Sequence, residues 1–386
     1  MSSLATHPVP YWRLSAFYFA YFAQVGAASP YFSLYLASLG FAAAQIGVLL
    51  SLGQLMRVVG PNFWGWVADR GGQRVRIIAV TLACGTLCFA GFFFVTSFWG
   101  LFALLLALGF FSSATMPLFE SLTLAHLRGA ISRYGAIRLW GSVGFIVTVT
   151  AVGYALDALP VASLLWMVLA TYAVTWLCAL AVPEAPASGG NKESDPVWDI
   201  LRRPEVAAFL GACFLMTLAH GPLYAFFSLY LVDHGYSKAA VGLMWTYGVV
   251  AEIIVFMLMP ALLRRYSLTS VLLLCFAVTA LRFLMIGWGV ASAPVLFAAQ
   301  LLHGLSFGAY HAAAVTVIHR WFQGAHQVRG QAIFLSVSYG AGGVLGSMLS
   351  GLGWDSLGPA WTFSAAAFAA MAGFVLLLWK VRPARV

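Results

Sequence analysis

The sequence predicts an all-α integral membrane protein, with twelve transmembrane helices in two pseudo-symmetric six-helix halves. Three observations predict it. Of 386 residues, 62% are hydrophobic and only 8% are charged, whereas water-soluble domains carry about 25% charged residues, so this surface faces lipid. Apolar runs of about 20 residues, long enough to cross a bilayer, follow one another from end to end. Finally, the string FSLYL occurs twice, at 32–36 and at 227–231.

Each apolar run is read as a helix, because an open sheet edge in lipid leaves backbone groups unpaired. The first span, 14–36, ends on FSLYL, and the second, 46–67, carries Arg57. The third, 76–95, holds Cys84 and Cys88. The fourth, 99–127, and fifth, 135–156, carry Glu120 and Arg138. The sixth, 160–182, completes the first half. The seventh, 205–232, ends near the second FSLYL, and the eighth, 240–263, carries Glu252. The ninth, 269–290, carries Arg282, and the tenth, 294–321, carries His303 and His311. The eleventh, 330–352, is glycine-rich, and the twelfth covers 359–380.

No soluble domain fits between these spans. The first is too long for the apolar core of a cleavable signal peptide, and similar spans follow it. The cysteines sit in apolar spans without a CxxC pair, so neither disulfides nor metal nor any other cofactor is expected. The net charge of +9 raises nucleic-acid binding, but its distribution describes topology instead. With the N-terminus inside, the cytoplasmic segments hold Arg13, Arg70, Arg74, Arg76, Arg128, Arg133, Lys192, Arg202, Arg203, Arg264, Arg265, Arg320, Arg329, Lys380, Arg382 and Arg385, while the opposite side holds Lys238. The positive-inside bias places both termini in the cytoplasm. The expected location is a cell membrane, with no nucleic-acid partner, and a monomer is the expected state.

Shifting the chain by 195 residues extends the echo beyond FSLYL. Gly26 falls on Gly221, Gly40 on Gly235, Gly47 on Gly242 and Gly53 on Gly248. The halves are therefore 1–182 and 204–386 in parallel orientation, joined by a cytoplasmic linker at 183–203 that contains PEAPASGGNKESDP. Small residues favour helix contacts in membranes, which would account for the glycines but not for FSLYL. Two repeated bundles around a midplane cavity are the architecture of carriers that work by rocking.

Five formal charges fall inside spans: Arg57, Glu120, Arg138, Glu252 and Arg282. Each costs about 2.5–3.5 kcal/mol at a helix centre on insertion scales, so a use or a partner is expected. Glu120 and Arg138 lie symmetrically about Gly129, in the connecting turn, at matching depth. Either an ion pair that holds the helices together or a shared ligand follows. Arg57 and Glu252 are repeat-related, and are either partners across the halves or occupants of separate crevices. Of the histidines, His220, His303 and His311 lie within spans. A hydrogen-bonded core histidine is the ordinary reading of each, with His303 favoured because Tyr310 shares its helix face and because imidazole titrates near neutral pH. GLSFG at 304–308 matches the G-x-S-x-G elbow but lacks its strand-to-helix turn, so Gly304 and Gly308 read as helix packing. GAGGVLG at 340–346 lacks the strand of a dinucleotide site and also reads as tight packing.

GWVADRGGQR at 65–74 resembles the signature loop of the major facilitator superfamily, through Gly65, Asp69, Arg70, Gly72 and Arg74. PLFESL followed by YGAIRLWGSVGF resembles the proton-symporter branch that contains lactose permease, the nucleoside symporters and the phenylpropionate transporters. RGQA at 329–332 and the glycine-rich eleventh span look most like the phenylpropionate transporters. The resemblance covers the whole chain and implies the major facilitator fold. It gives Glu120 and Arg138 the substrate-binding role and puts Phe145 at the aromatic stacking position. Through AEIIVF, LRFLMIG and LHGLSFGAYH it implies proton coupling by Glu252, Arg282 and His303, with His311 beside them. It assigns gating to Gly65, Asp69 and Arg70, and Arg57 is grouped with them at the interface between halves. Ser306 stands where lactose permease has a proton-carrying carboxylate, and Phe145 where it has tryptophan.

The leading expectation is a proton symporter for a small organic solute. Three intramembrane arginines against two glutamates leave a positive cavity when the histidines are neutral, which favours an aromatic or hydrophobic monocarboxylate. A sugar or nucleoside symporter and an uncoupled facilitator or exchanger are the alternatives. An enzyme using Ser306 and His303 lacks the strained turn and oxyanion donors such chemistry needs, so no enzymatic activity is expected.

Overall fold

The computed structural model describes residues 9–127, 132–185, 197–323 and 326–380; the side chains of Asp69, Ser132 and Val328 are outside that description. So are Gly129, Arg128, Lys192, Arg382, Arg385 and the 186–196 part of the expected linker. The described residues form helices and turns without a strand. Helix α1 comprises Tyr11–Ala28 and Phe32–Ser38, α2 Ala43–Gly71, α3 Arg74–Ala90, α4 Phe98–Ser112 and Thr115–Leu127, α5 Ser132–Ala158 and α6 Leu164–Ala181. The second half repeats this with α7 at Pro204–Ala219 and Gly221–Asp233, α8 at Lys238–Arg265 and α9 at Leu268–Gly289. Helix α10 runs from Ala293–Leu301 to Tyr310–Trp321, α11 from Gln327–Leu335 to Gly343–Ser356, and α12 is Pro359–Lys380. Eleven helices, α2 to α12, are long and apolar enough to cross a membrane. Helix α1 is the twelfth, broken where Ser29–Tyr31 turns the chain.

An even number of crossings puts Tyr11 and Lys380 at one face, here the termini face, and the α1–α2 turn at the opposite, far face. Exposed tryptophans mark both rims: Trp12 and Trp379 at the termini face, and Trp99, Trp166, Trp288 and Trp361 at the far face. This is the placement that amphipathic indole rings take at membrane–water interfaces.

The repeat is structural as well as sequential. Gly40 and Gly235 both turn the chain with φ near +85° and +83°, a conformation that an added Cβ would strain. Gly47 and Gly242 sit where the halves touch: an added Cβ would lie 2.5 Å from the Ser347 carbonyl oxygen and 2.7 Å from that of Val149, respectively. FSLYL recurs because its tyrosines do the same job. The Tyr35 hydroxyl donates to the Phe92 carbonyl at 3.4 Å and Tyr230 donates to that of Gly287 at 2.8 Å. Phe92 and Gly287 are themselves 195 apart. Each tyrosine thus ties the end of the first helix of its half to the end of the third.

The buried core is divided unevenly. At the far side one apolar cluster draws on both halves, from Tyr31, Leu49 and Val149 to Phe226, Val241 and Phe283. Toward the termini face it separates into two. One, around Phe17, Phe119 and Leu122, belongs to the first half, and the other, around Phe209, Phe276 and Tyr310, to the second. Burial of apolar side chains away from lipid cannot draw on water exclusion, so close packing and polar contacts hold these helices together.

The glycine motifs are packing devices, as expected. Residues Gly304–Ala309 of α10 and Ser336–Gly342 of α11 are π-helical, a form that often marks functional sites. Gly304 abuts the Ala251 carbonyl of α8, and Gly308 abuts the Glu252 side chain. On α11, Gly340 faces Val58 of α2 and Gly342 faces the Phe214 carbonyl of α7. The GWVADRGGQR segment is less of a loop than expected: α2 continues to Gly71, and the turn is made by Gly72, whose φ is +62°.

Candidate substrate and coupling site

Arg138 projects from the first turns of α5 at half-burial. Its guanidinium carbon lies 4.0 Å from the Phe22 ring centroid and 5.6 Å from that of Tyr18. Phe22 and Tyr18 are four residues apart on α1, hence on one helix face. Gly141 makes the stacking possible, because a Cβ there would sit 2.8 Å from an Arg138 nitrogen and 2.7 Å from the Phe22 ring. A cation over an aromatic face is stabilised by the ring quadrupole while its in-plane N–H fork stays usable. Glu120 on α4 accepts a hydrogen bond from the Tyr134 hydroxyl at 3.2 Å.

Of the two readings of Glu120 and Arg138, the ion pair is not formed, although each lies within electrostatic reach of the other. The aromatic residues take both partners instead. Arg138 of the first half lies within electrostatic range of Glu252 and His311 of the second. Phe145 is half-buried and packs against the far-side core. The backbone at Phe145 meets Gly26 of α1, where a Cβ would come within 2.7 Å of the Phe145 carbonyl oxygen.

In the second half, Glu252 of α8 faces His303 of α10, with 3.8 Å between carboxylate oxygen and Nε2. The repeat-related alternative, an Arg57–Glu252 pair, is not formed. Arg57 is exposed on α2, with no carboxylate in salt-bridge contact among the described residues. The His303 ring stacks on Phe307 at 5.5 Å, and Phe307 stacks on His311 at 6.2 Å, so one phenyl ring separates the two imidazoles. His311 Nδ1 is 2.9 Å from the Tyr339 hydroxyl of α11. Tyr310 does not share the face of His303. The π-helical turn between them adds a residue and rotates Tyr310 into the second-half core, edge-on to Phe276.

Arg282 is fully buried, yet its three hydrogen bonds go to neutral acceptors: the Ala299 carbonyl at 2.9 Å, Ser306 Oγ at 3.2 Å and Gln300 Oε1 at 3.2 Å. The serine at the position of the permease carboxylate thus serves as an acceptor for Arg282. His220 bonds through Nδ1 to the Met216 carbonyl at 2.8 Å. That is the ordinary core arrangement; His220, Tyr224, Phe307 and Tyr339 line a space of about 10 Å³, roughly one water in size, and Nε2 has no hydrogen-bond partner among the described residues. Of the residues expected to gate, Arg70 lies over the exposed Trp66 ring at 3.9 Å, and Gly65 has open space where a Cβ would be.

Several site residues escaped the sequence reading. Tyr134 lies four residues before Arg138, and Tyr18 and Phe22 are spaced by four. Gln300, Phe307 and Tyr339 complete the second half. Helical spacing to a known charge was the available signal, but in a chain with 15% aromatic residues such spacings are common.

Comparison with known proteins agrees with this architecture. A model described as the MFS_1 like family matches residues 11–365. A protein named as the probable 3-phenylpropionic acid transporter of Escherichia coli K12 is 30% identical over 372 residues, covering 92% of this chain and 94% of that one. The maltose permease of Geobacillus stearothermophilus is 28% identical over 87% of this chain and 85% of its own length. The nucleoside permease NupG of Escherichia coli K12 is 22% identical over 81% of this chain and 80% of its own. A crystal structure of nucleoside transporter NupG superposes with a TM-score of 0.85 at 20% identity, covering 96% of this chain and 99% of that one, which concerns the fold alone. Two repeated bundles meeting at a charged cleft are a carrier's parts, and this chain belongs to the MFS_1 like family of major facilitator secondary transporters.

Proposed function

We propose that the protein is a proton symporter for an aromatic or other hydrophobic monocarboxylate, with its termini face toward the cytoplasm of the cell that bears it. The carrying observation is Arg138, a cationic fork laid on Phe22 and Tyr18 at the cleft with no carboxylate in salt-bridge contact among the described residues. A planar guanidinium binds a carboxylate through two parallel hydrogen bonds, and the surrounding rings suit an apolar ligand body. Arg57, exposed on the opposite helix of the same half, adds positive potential. Arg282 adds less than a simple charge count implies, since Ser306, Gln300 and Ala299 surround it. The 30% identical relative named for 3-phenylpropionic acid supports the same substrate class.

Proton coupling is assigned to Glu252 with His303, the one acid–histidine contact at the cleft among the described residues. The Glu252 side chain is 21% exposed against 7% for His303, which makes the acid the more accessible of the two. Two experiments test the reading. A carboxylate ligand should bind better than its amide of the same shape, and equal affinity for the two would remove the anion assignment. Glu252→Gln should leave exchange intact and abolish accumulation driven by a pH gradient; unchanged accumulation would remove Glu252 as the proton carrier.

A further inference from the structure

Two aspartates stand at the wrong ends of their own helices. Asp157 is the penultimate residue of α5 and Asp355 the penultimate residue of α11. The C-terminus of a helix carries partial negative charge, so an acid there is unfavourable to its own helix. Each is satisfied by a helix of the opposite half. Asp157 accepts the backbone N–H groups of Lys238 at 2.7 Å and Ala239 at 3.0 Å. Asp355 accepts those of Ala43 at 3.3 Å and Ala44 at 2.8 Å. Lys238 and Ala43 are the first residues of α8 and α2, and the two donor pairs are again 195 residues apart. One contact bridges α5 to α8 and the other α2 to α11. These are the two largest seams along which the halves meet.

The caps that α2 and α8 make for themselves leave room for these acids. Ser237 accepts only the Ala240 N–H, at 3.1 Å, and Ala42, at the start of α2, has no acceptor side chain. Below the first seam the Tyr31 hydroxyl donates to the Val149 carbonyl at 2.7 Å, and Thr150 meets Thr246 at 2.9 Å across the halves. Below the second, Gly47 lies against the backbone of Ser347 and Gly351. All of this lies on the side where the two halves share a single core.

We propose that Asp157 and Asp355 are paired latches of the transport cycle: each holds one seam of the far gate closed by capping a helix of the other half, and both must release for the cleft to open to that side. On release the carboxylates and N–H groups pass to water, so the latch is a bias on an equilibrium rather than a permanent bond. The proposal rests on the carrier reading alone and not on the substrate or the coupling ion.

The test places a reporter cysteine under the first seam, Thr246→Cys, in a chain whose native cysteines are replaced by serine. It is labelled with a membrane-impermeant maleimide applied from the far side of sealed proteoliposomes. Asp157→Asn and Asp355→Asn should each raise the labelling rate by about tenfold or more, the scale of one hydrogen bond to a charged group, and the double variant should raise it further. A cysteine at exposed Ala291 should label at an unchanged rate. Glu184→Gln is the structural control. It removes a cap of the same kind, from Glu184 to the Val75 N–H at 2.9 Å, but between the start of the linker and α3, away from both seams, and should leave Thr246→Cys labelling unchanged.

If an aspartate variant fails to fold, Lys238→Pro and Ala43→Pro remove a donor from the other side of the same contacts. Proline is tolerated at the first position of a helix, and the preceding residues are extended, with ψ of 157° at Ser237 and 156° at Ala42, as a following proline requires. They too should speed labelling. Unchanged labelling in the double aspartate variant, or in both proline variants where that one does not fold, overturns the proposal, and so does equal acceleration by Glu184→Gln.

Discussion

Replacing Arg138 by lysine keeps the charge and removes the fork. In the structure the guanidinium carbon is 4.0 Å from the Phe22 centroid, so its plane is available for stacking and its edge for a ligand. Lysine offers a point charge that cannot present two parallel donors. The loss for a bound carboxylate is the second hydrogen bond to a charged group, worth roughly 1.5–3 kcal/mol, or roughly 10- to 140-fold in affinity at 1.4 kcal/mol per tenfold. The assay is equilibrium binding of a phenylpropionate-type acid and its amide to purified protein, with thermal unfolding followed alongside. The expected result is loss of acid binding at an unchanged melting temperature, with the amide nearly unaffected. Wild-type-like acid binding by Arg138→Lys would refute the fork, and if Glu120→Gln also binds normally, the residues are structural only.

Other substitutions test neighbouring parts of the structure. Arg282→Gln strands three acceptors at about 1 kcal/mol or more each, so it should lower the melting temperature by several degrees; an unchanged melt would mean that the buried network carries little. Gly304→Ala would put a methyl group 2.5 Å from the Ala251 carbonyl and should cost about 1–3 kcal/mol by overpacking, read as a lower melting temperature with α10 displaced from α8. Cysteines at Ser188 and Ser292, in a background lacking native cysteines, should label from opposite sides of the membrane, and same-side labelling would overturn the twelve-span topology.

Much of the fold is legible in the sequence because lipid leaves few choices. Backbone groups must pair within each segment, so length and apolar character give the spans, and FSLYL with the repeated glycines gives the two halves. The glycines recur for reasons that sequence can register, namely a left-handed turn at Gly40 and Gly235 and a close approach at Gly47 and Gly242. Partners within the site are less legible. Glu120 and Arg138 are at matching depth, but depth does not say which way a side chain turns, and Tyr134 and Phe22 claim them. The spacing of His303 and Tyr310 assumes a regular helix, and the π-helical turn between them breaks that assumption. Arg282 finds neutral acceptors in Gln300 and Ser306, which no charge count anticipates.

The repeat preserves the scaffold and abandons the chemistry. Positions related by 195 residues keep the turn glycines, the contact glycines and the tyrosine ties, all of which serve packing. The charged positions differ. Arg57 corresponds to Glu252, Glu120 to Val315, Arg138 to Ile333, Arg282 to Leu87 and His303 to Leu108. The fork therefore belongs to the first half and the acid–histidine contact to the second, with the cleft between them and Arg138 acting on Glu252 across it. A ligand changes the balance between two conformations only through interactions that differ between them. In the proposed mechanism an anion on Arg138 lessens the positive potential that Glu252 experiences from the opposite half, and a proton on Glu252 removes the negative charge facing that anion. Each occupant thereby favours the other, and both act between the halves that must move. Had the fork and the acid lain on one half, the same charges would have interacted without bearing on the seam.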